Sequence, residues 1–321
     1  MYRSGINVLR PGAEGYKTMT RRYSGRGKDR FWEIDFLRGL CVLLMVFDHL
    51  MYCLWDLMPA INQMFGTHLF TESRQLALEY WRWDVRDNVR LIVISVFFLL
   101  CGVSCTLTRG NFRRSIPLAL VAAGISYVTA LLEQLGMGQQ VIFGVIHMLA
   151  CGIFLYAVYD GVAGAVCGVL GEGKAARIAK YAIRFLPGVM GIVFLAWLFG
   201  GGYAELRFAY GVWDVHSLYD AAGATNAEKT FVSTFLYIRN FTPDSGDYFP
   251  ILPWAALVLI GGIFGRLCCH TDAKYAFAPF GGAWNSGICF FGRHAAVIYI
   301  AHMVAIPVFL ALCAAISMLF T

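Results

Sequence analysis

The chain has 321 residues, 59% of them hydrophobic and only 14% charged, with a mean hydropathy of +0.61. Soluble domains average about 45–50% apolar and about 25% charged residues, so this composition excludes a disordered chain, a collagen, a disulfide scaffold and an ordinary soluble enzyme. It leaves an all-α, polytopic membrane helix bundle.

The first 30 residues carry eight bases and two acids, which accounts for the whole net charge of +6; from Phe31 onward there are 18 of each. This segment is rich in Gly, Arg and Ser and lacks apolar periodicity. It reads as a disordered tail, held against anionic lipid on the cytoplasmic face, with residues 31–321 forming one transmembrane domain. No aromatic stacking platform accompanies it, so no nucleic-acid partner is expected. The first apolar run begins only after Arg38 and has no small-residue cleavage site behind it, so it reads as a span and not as a removable signal.

A crossing needs about 20 mostly apolar residues, and about seven runs meet that length. They lie near 37–57, 89–108, 116–132, 141–158, 183–199, 249–268 and 295–320. The Gly-rich stretch 161–170 either extends the fourth span or forms a re-entrant turn. Gly168 to Lys174 approaches a phosphate-binding loop, but Ala175 stands where Ser or Thr would hold Mg²⁺. The ten cysteines fall mostly within apolar runs without a C-x-x-C, and read as small helix residues.

Basic and acidic loops alternate along the chain. The loop 109–114 carries three Arg and no acid, whereas 200–247 carries six acids against three bases. The positive-inside rule then places the N-terminus in the cytoplasm and the C-terminus outside, in the inner or plasma membrane. Two long outer loops are aromatic, with Trp55, Tyr80, Trp81 and Trp83 in one and Tyr203, Tyr210, Trp213 and Tyr219 in the other. Interface anchoring and stacking on a sugar-like acceptor both fit these rings.

Ionisable groups inside spans are costly and mark function by default. The candidates are Asp48, His49, His147 and His302, with Arg38 and Asp56 at the ends of the first helix. Eleven helical steps return to within about 20° of the start, so Arg38 and His49 share a face about 16 Å apart, and Asp56 falls on the same stripe. His302 lies about 13 Å beyond Arg293 and His147 about 10 Å beyond Gln140. Three histidines on three helices thus reach similar depth. They either surround one cavity or tie separate helices through hydrogen bonds. No H-E-x-x-H or H-x-x-E-H spacing occurs, so no metal is expected. A midplane imidazole can act as a general base or an acyl-accepting nucleophile, and Arg38 suits a phosphate-bearing donor.

At these residues a pattern emerges. R-F-W-E-I-D-F-L-R-G-L at 30–40, M-V-F-D-H at 45–49 and W-D at 55–56 are followed by F-G-V-I-H at 143–147, Y-F-P-I-L-P-W at 248–254 and F-G-R-H-A-A-V-I-Y-I-A-H at 291–302. Together these blocks resemble the bacterial heparan-alpha-glucosaminide N-acetyltransferase-like family. The Arg-x10-His pairing is also similar to that of the polysaccharide O-acetyltransferases of acyltransferase family 3. The resemblance implies a membrane acetyltransferase that takes acetyl-CoA from the cytoplasm and modifies a sugar or amino-sugar-like acceptor at or across the bilayer. It implies that Arg38, His49, His147 and His302 belong to the site. Asp56 joins the catalytic group, Arg38 faces the donor, and Trp55 and Trp254 lie on the acceptor side. A homodimer is left open. The rival expectation is a proton-coupled transporter or exporter, in which the same His/Asp stripe relays protons.

Overall fold

A computed structural model of the chain describes residues 31–134, 140–196, 247–271 and 280–320, with the backbone alone of 197–200, 207–209 and 212–214. The basic tail and Tyr203, Tyr210 and Tyr219 lie outside the described residues. Helix α1 (Trp32–Tyr52) runs through a π-helical turn (Cys53–Leu57) into α2 (Met58–Phe65). There follow α3 (Thr71–Trp81), α4 (Asp84–Leu107), α5 (Asn111–Gln134), α6 (Val145–Val169) and α7 (Lys174–Gly200). A short antiparallel hairpin, β1 (Arg207–Ala209) with β2 (Val212–Asp214), pairs Phe208 with Trp213. The chain closes with α8 (Ile251–Phe264), a π turn (Gly265–Cys269), α9 (Ser286–Arg293) and α10 (Ala295–Met318).

Seven helices, or helices with their π-turn extensions, are long and apolar enough to cross a membrane, in the number and order expected from the hydropathy. The first runs 34 residues, Trp32–Phe65, well past the expected end near Leu57. The stretch 161–170 continues the fourth crossing as regular helix to Val169 and does not turn back.

The first and last crossings lie side by side and run in the same direction. Trp284 packs edge-on to Trp32 and Phe36, His302 meets His49, and Leu310 and Ala314 join Cys53, Met58 and Ile61 in one apolar cluster. Just before the last crossing, α9 packs closely on α1: Gly39 lies against the Ile288 carbonyl and Gly292 against the Asp35 carbonyl, so a Cβ at either position would overlap backbone. Small residues give this close approach, because lipid supplies no hydrophobic drive between helices. Gly292→Val should therefore lower stability by about 1–3 kcal/mol in thermal unfolding of the detergent-solubilised protein. Gly287, with open space around it, is the control; Gly287→Ala should stay within about 0.5 kcal/mol.

A second glycine seam joins α4 to α8. Gly102 abuts the Val258 carbonyl, Gly261 abuts the Leu99 carbonyl, and Gly265 lies against Thr106. The pairing advances together along both helices, so they are parallel. Phe98 meets Trp254 further up the same seam. Extrapolated from there, Ile251 stands level with about residue 95, some 16 Å along α4 from its start. Helix α6 also starts low. Ser126, eight residues short of the end of α5, donates to the Val141 carbonyl at 2.7 Å. The segment before α6 thus lies about 12 Å inside the end of α5. The two incoming strands of backbone meet where the Phe249 N–H donates to the Phe143 carbonyl at 2.7 Å. Irregular backbone at this depth is tolerated only where protein buries it or where it lines a cavity.

Candidate functional site

The parallel run of α1 beside α10 brings His49 and His302 together. Their ring centroids are 5.1 Å apart and the rings meet edge-on at 87°. His302 is 8% exposed, and its Nδ1 lies 3.1 Å from the Ile298 carbonyl. A carbonyl only accepts, so Nδ1 carries the proton and the Nε2 lone pair is left for other work. His49 Nε2 is buried and has no hydrogen-bond partner among the described residues. A buried polar atom left unmatched costs about 1–3 kcal/mol, and such atoms in a native site point to a catalytic role or a missing ligand.

Each histidine has a tyrosine three residues away. Tyr52 stacks on His49 at 5.9 Å, and Tyr299 meets His302 edge-on at 5.4 Å. Toward the end of α1, the Tyr52 hydroxyl donates to Asp56 at 2.8 Å. Asp56 is exposed, and Tyr52 stands between it and His49. The π turn from Cys53 to Leu57 intervenes, so the regular stripe expected from His49 to Asp56 does not continue unbroken. Trp55 stacks on Trp81 at 5.4 Å and 20°, and Tyr52 also touches Trp81 at 5.6 Å. These rings form an aromatic shelf outward of the histidines.

Asp48, adjacent to His49 in sequence, is committed elsewhere. Arg86 grips it with two bonds, Nε to Oδ1 and Nη2 to Oδ2, both 2.8 Å, and Tyr80 donates to it at 3.0 Å. The Arg86 guanidinium also lies 3.6 Å over the Trp81 ring. Burial and the neighbouring Asp48 carboxylate push the Tyr80 hydroxyl up to about 12, so it remains a donor at neutral pH. This network fixes the shelf to α1 and α4.

Arg38 lies below His49 on the same helix. Its Nη2 donates to Ser104 Oγ at 2.7 Å, and Nη1 faces Asp35 at 3.5 Å. The Ser104 hydroxyl in turn donates to the Leu100 carbonyl at 2.7 Å. The guanidinium is thereby held at Ser104, near the end of α4 opposite Arg86 and the aromatic shelf.

The other two expected site residues stand apart from this pair. The Gly144 N–H donates to His147 Nδ1 at 3.2 Å, so the ring proton sits on Nε2 and faces Ser126 Oγ at 2.9 Å. Both ring nitrogens are used in closing the start of α6 onto α5. Trp254 is 0% exposed and packs against Phe98 at 5.5 Å and Phe249 at 5.2 Å. It is a wall of the core, with no open face on which an acceptor could stack.

Tyr52, Arg86 and Tyr299 complete the surroundings and are not among the residues expected from the sequence. The i, i+3 spacing of Tyr299 and His302 was the available signal for one of them. Among the described residues no group of three His, Cys, Asp or Glu is placed to hold a metal.

Seven membrane-capable helices around a buried histidine pair define a multi-pass integral membrane protein with an embedded polar site. The family model for the catalytic region of heparan-alpha-glucosaminide N-acetyltransferase matches residues 30–170 and 173–304, most of the chain. The chain belongs to that family, which implies a membrane acetyltransferase. No curated protein and no solved structure matches it.

Proposed function

We propose that the protein transfers an acetyl group from acetyl-CoA to a hydroxyl or amine of a sugar-like acceptor, using His49 and His302 inside the bundle. The observation that carries this reading is the unmatched His49 Nε2 beside His302, in a chain of an acetyltransferase family. The N-terminus is taken as cytoplasmic, in the inner or plasma membrane. The donor then arrives at the Arg38 end, where a guanidinium suits its phosphates, and the acceptor arrives past Tyr52, Trp55 and Asp56.

An imidazole of the pair takes the proton from the acceptor O–H or N–H as that atom attacks the thioester carbonyl. The new C–O or C–N bond forms and the C–S bond breaks. The proton passes to the departing thiolate, giving free CoA thiol and an acetylated acceptor. Holding donor and acceptor from opposite sides at one buried point supplies the orientation that the reaction needs.

The test is release of CoA thiol from acetyl-CoA by the purified protein, dependent on an added acceptor such as glucosamine. Absence of acetyl-CoA binding and of thiol release across amine and hydroxyl sugars would remove the reading. His147 gives a contrasting expectation. Its ring serves as a cap, so His147→Ala should cost about 0.5–2 kcal/mol of stability. In thiol release it should retain activity within about tenfold of the wild type, short of the range for losing a general base.

A further inference from the structure

The last turn of α4 gathers basic side chains from three neighbours. Ser104 holds Arg38 of α1, whose Nη2 donates to its Oγ at 2.7 Å. On the next residue, the Cys105 carbonyl accepts from Asn111 Nδ2 at 2.7 Å, and the Thr108 carbonyl accepts from the same nitrogen at 2.9 Å. Asn111 is 4% exposed and is the first residue of α5, so its amide closes the turn between the two helices. Its Oδ1 accepts from Arg114 Nη1 at 3.2 Å. Two guanidiniums, one from α1 and one from α5, are thereby tied to adjacent residues of one helix end. The Thr106 carbonyl lies 3.1 Å from His270 Nε2, which carries the proton there because a carbonyl only accepts. A cation near a helix C-terminus is ordinarily held by its exposed carbonyls. Asn111 and His270 already meet those carbonyls here, and neither guanidinium is used for it. Arg38 faces one carboxylate, Asp35, at 3.5 Å. Arg114 forms no ion pair among the described residues. Both guanidinium side chains are partly open to the surroundings, and the exposed Arg109 and Arg113 flank them.

We propose that Arg38 and Arg114 together clamp the diphosphate of the acyl donor, one guanidinium to each phosphate, with Asn111 positioning Arg114. This rests on the acyltransferase reading above, in which the thioester reaches His49 about 16 Å beyond Arg38. Outward from the thioester, the first charges on a coenzyme A donor are the two phosphates of its diphosphate. Outward from His49, the first cation along α1 is Arg38, with no Lys or Arg between them. Arg114 comes next, tied one residue nearer the end of α4. The planar fork of a guanidinium matches phosphate oxygens in pairs, so two forks side by side suit two linked phosphates better than one.

The experiment measures equilibrium binding to the full chain in detergent, with CoA, dephospho-CoA and 4′-phosphopantetheine as probes. CoA and dephospho-CoA both carry the diphosphate, dephospho-CoA lacks the separate ribose phosphate, and 4′-phosphopantetheine has a single phosphate. The wild type should bind dephospho-CoA about tenfold more tightly than 4′-phosphopantetheine, the worth of one charge-assisted contact. In Arg114→Gln that preference should fall to within about twofold. Arg114→Lys keeps the charge without the fork and should hold an intermediate preference; it carries the test if Arg114→Gln melts early. Arg113→Gln, outside the clamp, should keep the wild-type preference. A preference that survives in Arg114→Gln, or that is lost equally in Arg113→Gln, would overturn the clamp. So would an Arg114→Gln effect seen with CoA and absent with dephospho-CoA, which would place Arg114 on the ribose phosphate. A wild type that releases thiol from acetyl-CoA but shows no such preference would overturn the clamp and leave the acyltransferase reading standing. A preference that is lost in Arg114→Gln, in a protein that releases no thiol, would uphold the clamp and sink the acyltransferase reading instead.

Discussion

His49→Ala is expected to lower acceptor-dependent thiol release by about 10²–10⁴, the range for losing a positioned general base. His49 Nε2 supports no hydrogen bond among the described residues, so its removal leaves no new orphan. The close approach of α9 to α1 at Gly39 and Gly292, next to the start of α10, is a separate contact that does not involve His49. Unfolding temperature and acetyl-CoA binding should therefore stay close to wild type while turnover collapses. His302→Ala should fall in the same range, and the double variant should lose little more than either single one, because residues acting as a unit are strongly non-additive. If His49→Ala turns over normally, the pair is a helix tie and the mechanism is lost. Proton-coupled flux in liposomes that disappears in the same variant would move the assignment to the transporter.

Arg86→Ala is expected to have the largest effect on stability. Its side chain is 6% exposed and Asp48 is 22% exposed. Removing one partner of a buried pair leaves an uncompensated charge, at about 3–5 kcal/mol. Arg86 also bonds Asp87 at 2.8 Å and covers the Trp81 ring, so the shelf beside Tyr52 loosens with it. Thermal unfolding should show a fall well beyond that of Asp87→Asn, whose carboxylate is 68% exposed. A double change that removes both charges, Arg86→Met with Asp48→Asn, should recover part of the loss. Equal melting of Arg86→Ala and Asp87→Asn would show that the pair is not the anchor inferred from its geometry.

Hydropathy alone delivered the seven crossings in order, because a bilayer demands about 20 apolar residues in a row whatever the neighbours do. It was less able to place helix ends. The first crossing gained two more turns beyond a π turn, and α6 and α8 begin only after irregular segments that still read as apolar. Hydrophobicity does not distinguish buried loop from helix when both are apolar.

The sequence also singled out His49 and His302, through the rule that an ionisable group in a span needs a reason. It set His147 beside them on its depth in the membrane and on the resemblance of the block at 143–147. Depth is one coordinate, and the local contacts of each ring are another. Ser126 and Gly144 take both nitrogens of His147, and neither bond leaves a trace in residue spacing. Asp48 shows the same limit, since its partner Arg86 comes 38 positions later from another helix.

What the sequence determined by itself, then, is the class of protein and the short list of costly residues, because those follow from transfer energies that act residue by residue. Which residues on that list meet was decided only by tertiary structure. The parallel run of the first and last crossings, with α9 closed onto α1 at Gly39 and Gly292, makes a pair of His49 and His302. The low starts of α6 and α8 bring Asp247 onto the Val145 amide. Both depend on helix offsets along long axes, set by where backbones can touch, and that is a property of the packed bundle.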